Sequence, residues 1–550
     1  MPLVTVAVLA LGPSDGIWSH LAATVLPVYL RTTLALLIGV AIGTVTIGVG
    51  SAWLVTMYRF PGVRAFEWAL LLPLAVPAYV IAYVYTDVLE YAGPVQNALR
   101  HIFQWHSARD YWFPEIRSLG GAIAMMSLVL YPYVYLLARA AFLEQSVCAL
   151  EVSRTLGASP LAGFFRVALP LARPAIIVGV SLVMMEALND FGTVDYFAVA
   201  TFTAGIYDVW LNMNSIAGAA QLATVMLILV LALIVAERWA RRGRRHHSMS
   251  GRHRPLVGIR LRGPRAAFAV AACLTPVVLG FGVPAGLLAA YAAGTPPADS
   301  GSRYLDYAIN SLGLAAATAT AAVALGVFLA YGLRLGGRSP VVRFGVRVSG
   351  IGYAIPGAVL AIGVLTPLAA VDNAVDGLSR SLFQVSTGLV LSGSVFALIY
   401  GYSVRFLALS LGSAEAGLGR ITPTMDGAAR SLGLGPGRTL AAVHLPMMKG
   451  SLLTAALLVF VDTMKELPIT MLLRPFNFET LATYVHQYAS SELLEECALG
   501  ALTIVAAGVL PVIALSRTIT RARPGAFAPR SPFPTEGRQA DPPLHAGASG

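Results

Sequence analysis

The chain has 550 residues, of which 57% are hydrophobic and only 12% charged, against roughly 25% charged in soluble domains. This excludes an ordinary soluble globular protein, because apolar runs of about 20 residues are what a helix needs to cross hydrocarbon with its backbone bonds satisfied internally. The net charge of +11 could suit nucleic acid, but its placement argues for a membrane topology signal instead: Arg241, Arg242, Arg244, Arg245, Arg252, Arg254, Arg260 and Arg262 stand beside apolar runs with no acidic residue between Arg238 and Arg265, as in a basic cytoplasmic linker.

In chain order, apolar runs lie near 1–12, 32–57, 67–90, 120–143, 171–192 and 219–239, then near 266–291, 309–333, 346–370, 386–411, 450–472 and 496–516. The first is short and lacks a basic leader, so it reads as a span with its beginning missing and not as a signal peptide. If the spans alternate, Arg59, Arg64, Arg139, Arg154, Arg166 and Arg173 fall on the side of the basic linker. Arg334, Arg338, Arg343, Arg347, Arg405, Arg420, Arg430, Arg438 and Lys449 do the same in the second half, which places both termini in the cytoplasm. The stretch 93–118 then lies outside; its mixed charges and its Trp105, Tyr111, Trp112 and Phe113 suit an interfacial loop. Cys148, Cys273 and Cys497 have no metal or redox spacing and read as inert.

The chain repeats itself. Arg154-Thr-Leu-Gly157 recurs as Arg430-Ser-Leu-Gly433, and Val167-Ala-Leu-Pro170 as Val443-His-Leu-Pro446, both at a shift of 276 (433 − 157). Gly48 and Ala52 match Gly326 and Ala330 at a shift of 278, and Pro77 matches Pro356 at 279. Because the repeated loop falls on the basic side in both halves, the halves are parallel and pair about an axis along the membrane normal. The expected architecture is an all-α polytopic membrane protein of two tandem parallel-repeat halves, about six transmembrane helices each. Residues 1–240 form the first membrane domain, 241–265 an Arg-rich cytoplasmic linker, 266–518 the second membrane domain and 519–550 a disordered cytoplasmic tail. Pro73, Pro77 and Pro356 are expected to kink the third span of each half.

The duplicated loop reads as a short helix, a Gly that turns the chain, an amphipathic segment and a Pro at the mouth of the next span. It resembles the EAA loop of binding-protein-dependent ABC importer permeases. That resemblance implies the type I importer permease fold and a docking role for Glu151, Gly157, Leu169 and Pro170 in the first copy. In the second it implies the same for Asp426, Ala428, Ala429, Gly433, Leu445 and Pro446. The first copy departs from the family pattern by Val152-Ser153 for Ala-Ala, and the second by Gly427 for Glu, with Asp426 one residue earlier. The implied partners are two copies of a cytoplasmic ATP-hydrolysing subunit and an external substrate-binding protein, with membrane lipid around the spans and no nucleic acid. The implied location is the bacterial cytoplasmic (inner) membrane. A P-loop needs Gly-Lys-Ser/Thr, whereas the only lysines, Lys449 and Lys465, each follow Met; ATP and Mg therefore belong to the partner subunits and no cofactor to this chain, which is not expected to be an enzyme.

Trp68-Ala-Leu-Leu-Leu-Pro73, Leu188-Asn-Asp-Phe-Gly192, Asp462-Thr-Met-Lys-Glu-Leu-Pro468 and Leu473-Arg-Pro-Phe-Asn-Phe478 resemble the ferric-iron branch of these permeases, which implies iron as cargo; fused permeases for thiamine, a polyamine or an oxyanion are the alternative. Glu186 and Asp190, with their repeat mates Asp462 and Glu466, stand near the external end of the fifth span of each half. Ionisable groups at membrane depth are costly unless they face water or a partner, so these four are candidates for the substrate pathway; a structural ion pair of Lys465 with Glu466 at the helix end is the plainer reading. Carboxylates are suitable hard ligands for ferric iron, although no metal-ligand set stands out. His101 and His106, and His246 and His247, read as surface residues, and no intramembrane nucleophile–base cluster supports an enzyme.

Overall fold

The computed structural model describes residues 1–14, 16–144, 159–241, 259–295, 301–336 and 339–521. It is built almost wholly of helices, ten of them long and apolar enough to span a membrane, or eleven if one bent pair counts as a single span. The single ladder among the described residues joins Tyr58–Arg59 to Ile259–Arg260 in parallel, tying the end of the basic linker to the first half.

The first half begins with α1 (Pro2–Ala10) and α2 (Leu26–Met57). The pair α3 (Ala78–Leu89) and α4 (Pro94–Phe103) follows, then α5 (Leu119–Leu143), α6 (Phe164–Asn189) and α7 (Ile216–Ala240). The second half holds α8 (Pro264–Gly294), α9 (Arg303–Gly336), α10 (Gly357–Phe383), α11 (Val395–Gly419), the short α12 (Pro423–Ser431), α13 (Pro436–Met464), α14 (Leu481–Ser490) and α15 (Leu494–Arg521). The repeat is visible in the packing. The trio α2, α5 and α6 pack on one another as α9, α11 and α13 do. The repeated glycines sit at matching crossings: a Cβ on Gly48 would lie 2.9 Å from the Tyr131 carbonyl, and one on Gly326 would lie 2.8 Å from the Ser410 carbonyl carbon. The helix pairs approach this closely because neither position carries a side chain.

The first element of each half packs on both halves. α1 lies against α7 of its own half and α10 of the other, and α8 against α15 of its own half and α3 of the other. At nine residues, α1 is much shorter than α8.

The prolines break the chain where kinks were expected. Pro77 and Pro356 are the N-caps of α3 and α10, each preceded by a 3₁₀ turn, Leu72–Ala75 and Gly352–Ala354. In the first half the segments on either side meet at 89°. An extended residue before each helix, with Pro fixing φ, removes the continuity that a kink would keep.

One expectation is corrected. Arg405 was placed on the side of the basic linker, but it is the eleventh residue of the 25-residue α11 and is only 3% exposed. The apolar run 386–411 ended near it, whereas residues 384–394 are non-helical and the helix continues to Gly419. That displacement moves the guanidinium from the end of a span to its interior.

Candidate functional site

The two halves meet where α6 and α13 end. α6 stops at Asn189 because Asp190 turns extended and its carboxylate accepts from Thr193 N–H at 2.8 Å, opening the short helix Gly192–Tyr196. α13 stops at Met464, and Glu466 accepts from Ile469 N–H at 3.3 Å ahead of the helix Pro468–Leu473, whose first residue is the proline. The repeat thus places two carboxylates at equivalent breaks, each beside a chain end that lacks its own helical partners.

Between these breaks lies a cavity of about 80 Å³ whose lining includes Glu186, Asp190, Lys465 and Glu466 with Tyr79 and Tyr133. Three of the four pathway candidates therefore share one cavity. Asp462 stands behind it, paired with Lys465 at 2.9 Å. The expected pairing of Lys465 with Glu466 is corrected: Lys465 pairs with Asp462, one turn back, and Glu466 instead faces Arg405 at 3.7 Å. Both members of that second pair are buried, at 3% and 6% exposure.

Bonds across the seam hold the site shut. The Asn189 side-chain oxygen accepts from Gly357 N–H at 2.6 Å and from the Arg405 guanidinium, both in the other half. Tyr353 donates its hydroxyl to Glu186, and Tyr207 donates to the Pro468 carbonyl. At the end away from the basic linker, Arg117 bridges Glu90 at 2.6 Å and Glu492 at 3.0 Å, joining the halves again. Among the described residues no three His, Cys, Asp or Glu side chains come together as a metal-holding group. His101 and His106 are not brought together with the cavity, and His246 and His247 lie outside the described residues.

Sequence reasoning missed Arg405, Tyr133 and Tyr353 as parts of this site. Asn189 stood inside the quoted stretch 188–192 without a role. The one available signal was the guanidinium of Arg405 in an otherwise apolar stretch, which was assigned to topology.

The second copy of the repeated loop is fully described. Asp426 points inward: Arg334 Nε donates to it at 2.9 Å, and His444 Nε2 lies 2.7 Å from its other oxygen. Arg334 also donates to the carbonyls of Leu418 at 2.7 Å and Ile421 at 2.9 Å, fastening the end of α11 to α12. Burial works to raise the Asp426 carboxyl, but Arg334 and His444 outweigh it and hold the group below the usual carboxylate range. Ala429 is buried and Ala428 exposed, while Leu432 is 80% exposed. Gly433 takes φ +79° with open space around it. Leu445 and Pro446 follow a π turn, Leu440–His444, as Leu169 and Pro170 follow Phe164–Ala168, again at a shift of 276 (440 − 164). Glu151 and Gly157 lie outside the described residues.

Comparison with known proteins shows what this chain is similar to. Residues 44–245 match the family described as "Binding-protein-dependent transport system inner membrane component". The Fe(3+)-transport system permease protein FbpB 2 of Haemophilus influenzae is 25% identical over 493 residues, 89% of each chain. The molybdenum transport system permease protein ModB of Escherichia coli is 26% identical over 201 residues, 36% of this chain and 84% of the relative. A probable sulfate transport system permease protein cysT of Chlorokybus atmophyticus is 32% identical over 151 residues, 27% of this chain and 48% of the relative.

Proposed function

We infer, from the premise that this chain is a multi-pass permease component of a binding-protein-dependent ABC importer, that its cargo is ferric iron. The observation that carries this is the lining of the seam cavity. Three carboxylates, Glu186, Asp190 and Glu466, face one ammonium, Lys465, with phenol oxygens of Tyr79 and Tyr133 around them. A passage with this balance attracts cations and repels oxyanions, and carboxylate and phenol oxygens are hard donors suited to a small trivalent metal. The oxyanion reading draws on the molybdenum and sulfate relatives, each matched over about a third of the chain or less. The iron permease, by contrast, is matched over 89% of the chain. At about 80 Å³ the cavity holds two or three waters' worth of space, which suits a metal ion better than an organic chelate.

Transport then follows as alternating access. An external binding protein delivers cargo to one face, and two ATP-hydrolysing subunits act at the other. Their closure is transmitted through residues 151–170 and 427–446 to α6 and α13, the helices whose far ends carry the cavity. The exposed Leu432 and the open surface at Gly433 supply the docking face, and Asp426 braces it from within. The halves rock about the seam, exchanging the bonds at Asn189 and Glu186 for an open path.

The test is energy-dependent uptake of labelled ferric iron by cells lacking the gene, with and without a plasmid copy, against unlabelled molybdate, sulfate, thiamine and polyamine. Restored iron uptake that competitors leave untouched supports the reading. Uptake unchanged by the deletion, with other iron importers removed, returns the cargo to the alternative solutes.

A further inference from the structure

Carboxylates gathered at a seam repel one another unless a cation sits among them. Here the chain supplies two: the Arg405 guanidinium faces Glu466 at 3.7 Å, and an ammonium serves the others. Lys465 lines the cavity and places its ammonium 2.9 Å from Asp462, within electrostatic reach of Glu186 and Tyr133. Its repeat mate is Asn189 (465 − 276), a neutral amide engaged with Arg405 and Gly357. One half alone thus contributes an ammonium to the lining. A further oxygen nearby is idle: Tyr79 lines the same cavity, is 4% exposed, and its hydroxyl has no hydrogen-bond partner, although Asp190, Glu466 and Lys465 are its electrostatic neighbours. A buried hydroxyl left unpaired is costly, and an occupant of the cavity would relieve it.

We propose that Lys465 is a tethered stand-in for the cargo: its ammonium neutralises Asp462 and Glu186 while the cavity is empty, and an entering metal cation displaces it, taking oxygen contacts from Glu186, Asp190 and the Tyr79 hydroxyl. The proposal rests on the cation reading above and names the positioning residue that controls occupancy of the same site. The exchange is one cation for another among existing oxygens. The Lys465–Asp462 pair opens, cation–oxygen contacts form, and no electron is transferred. An empty cavity can then close without self-repulsion, and the cargo meets an intramolecular competitor that keeps its residence short. Conduction requires that balance, binding strong enough to enter and weak enough to leave.

Terbium(III), a trivalent oxygen-seeking ion whose luminescence is sensitised by nearby tyrosine, tests this on the purified full-length chain without any transport assay. Lys465→Gln is expected to bind it roughly tenfold or more tighter than the unaltered chain, the effect of removing a close like charge. Lys465→Arg, which keeps a cation in place, is expected to titrate like the unaltered chain, and Lys465→Gln with Glu186→Gln to lose the gain. Should Lys465→Gln not yield monodisperse protein, Asp462→Asn with Lys465→Gln removes the ion pair as a unit and is expected to show the same tightening. Equal terbium titrations for the monodisperse variant and the unaltered chain overturn the proposal. Iron uptake by cells separates it from the cargo reading. Uptake together with equal terbium titrations removes the tethered lysine alone, whereas a terbium gain without iron uptake by the unaltered chain keeps the lysine's role and removes iron.

Discussion

Asp426 stands one residue before the position at which the first loop carries Glu151, and it faces the interior of its own loop. Its two partners make it a brace, so Asp426→Ala should cost about 1.5–3 kcal/mol, the worth of hydrogen bonds to a charged group, in the local stability of the loop. Because the folded carboxyl is held below its ordinary value, this contribution is complete above the ordinary carboxylate range and fades as pH falls through the folded value. Protection from hydrogen exchange across 423–440, taken relative to the intrinsic rate at each pH, is therefore expected to be flat from neutrality down to about pH 4 and to fall only below it. Arg405 and Glu466 make a second case. Removing either partner alone leaves a buried charge and should cost about 3–5 kcal/mol, whereas Arg405→Met with Glu466→Gln should recover much of that. Melting of the detergent-solubilised protein measures all three variants. A loss in the double variant equal to the sum of the two single losses would show the pair to be uncoupled.

At the scale of elements, the second copy of the repeated loop turns on Gly433. Its left-handed backbone strains any L side chain by about 1–2 kcal/mol, and its surroundings are open, so Gly433→Asp changes the shape and charge of the exposed surface without disturbing packing. Together with Gly157→Asp it is expected to leave insertion intact while uncoupling ATP hydrolysis from uptake; normal uptake by the double variant would sink the docking assignment. The loop was legible in sequence because it is written twice at one shift. Span boundaries were less so: hydropathy reports how apolar a window is, not where a helix stops. The run 450–472 crosses the break at Lys465-Glu466-Leu467, and 346–370 crosses the one at Pro356. Both breaks depend on capping and proline geometry that an apolar average conceals. The repeat itself extends further than the motifs singled out above. Gln104 and Gln384, at a shift of 280 (384 − 104), both close helices in the left-handed conformation, and Arg100 and Phe103 recur as Arg380 and Phe383 at the same shift.

At the scale of the molecule, the site belongs to neither half. Gly192 shows how little room the seam leaves: a Cβ there would lie 2.6 Å from Tyr79 Cβ and 2.9 Å from a Leu467 methyl in the other half. Gly192→Val should therefore prise the halves apart, costing about 1–3 kcal/mol. It should also make a cysteine placed at 189 reactive to water-soluble thiol reagents when the Asn189→Cys background is protected; undiminished protection in the valine variant would mean that the seam yields elsewhere. The sequence disclosed that two halves exist and that four carboxylates recur. It could not disclose Tyr353 beside Glu186 or Arg405 beside Asn189, since contacts between residues more than 160 positions apart leave no local pattern.

The reciprocal packing of α1 on α10 and of α8 on α3 bears on how the protein is made. While the first half emerges from the ribosome, α1 and α3 each lack a neighbour that has yet to be synthesised, so an early intermediate holds unfilled contacts within the bilayer. In two separate polypeptides those contacts would wait on an encounter set by expression levels. Joined by the linker, the second half arrives at an effective concentration on the order of millimolar, whatever the abundance of the gene product, and always in equal stoichiometry.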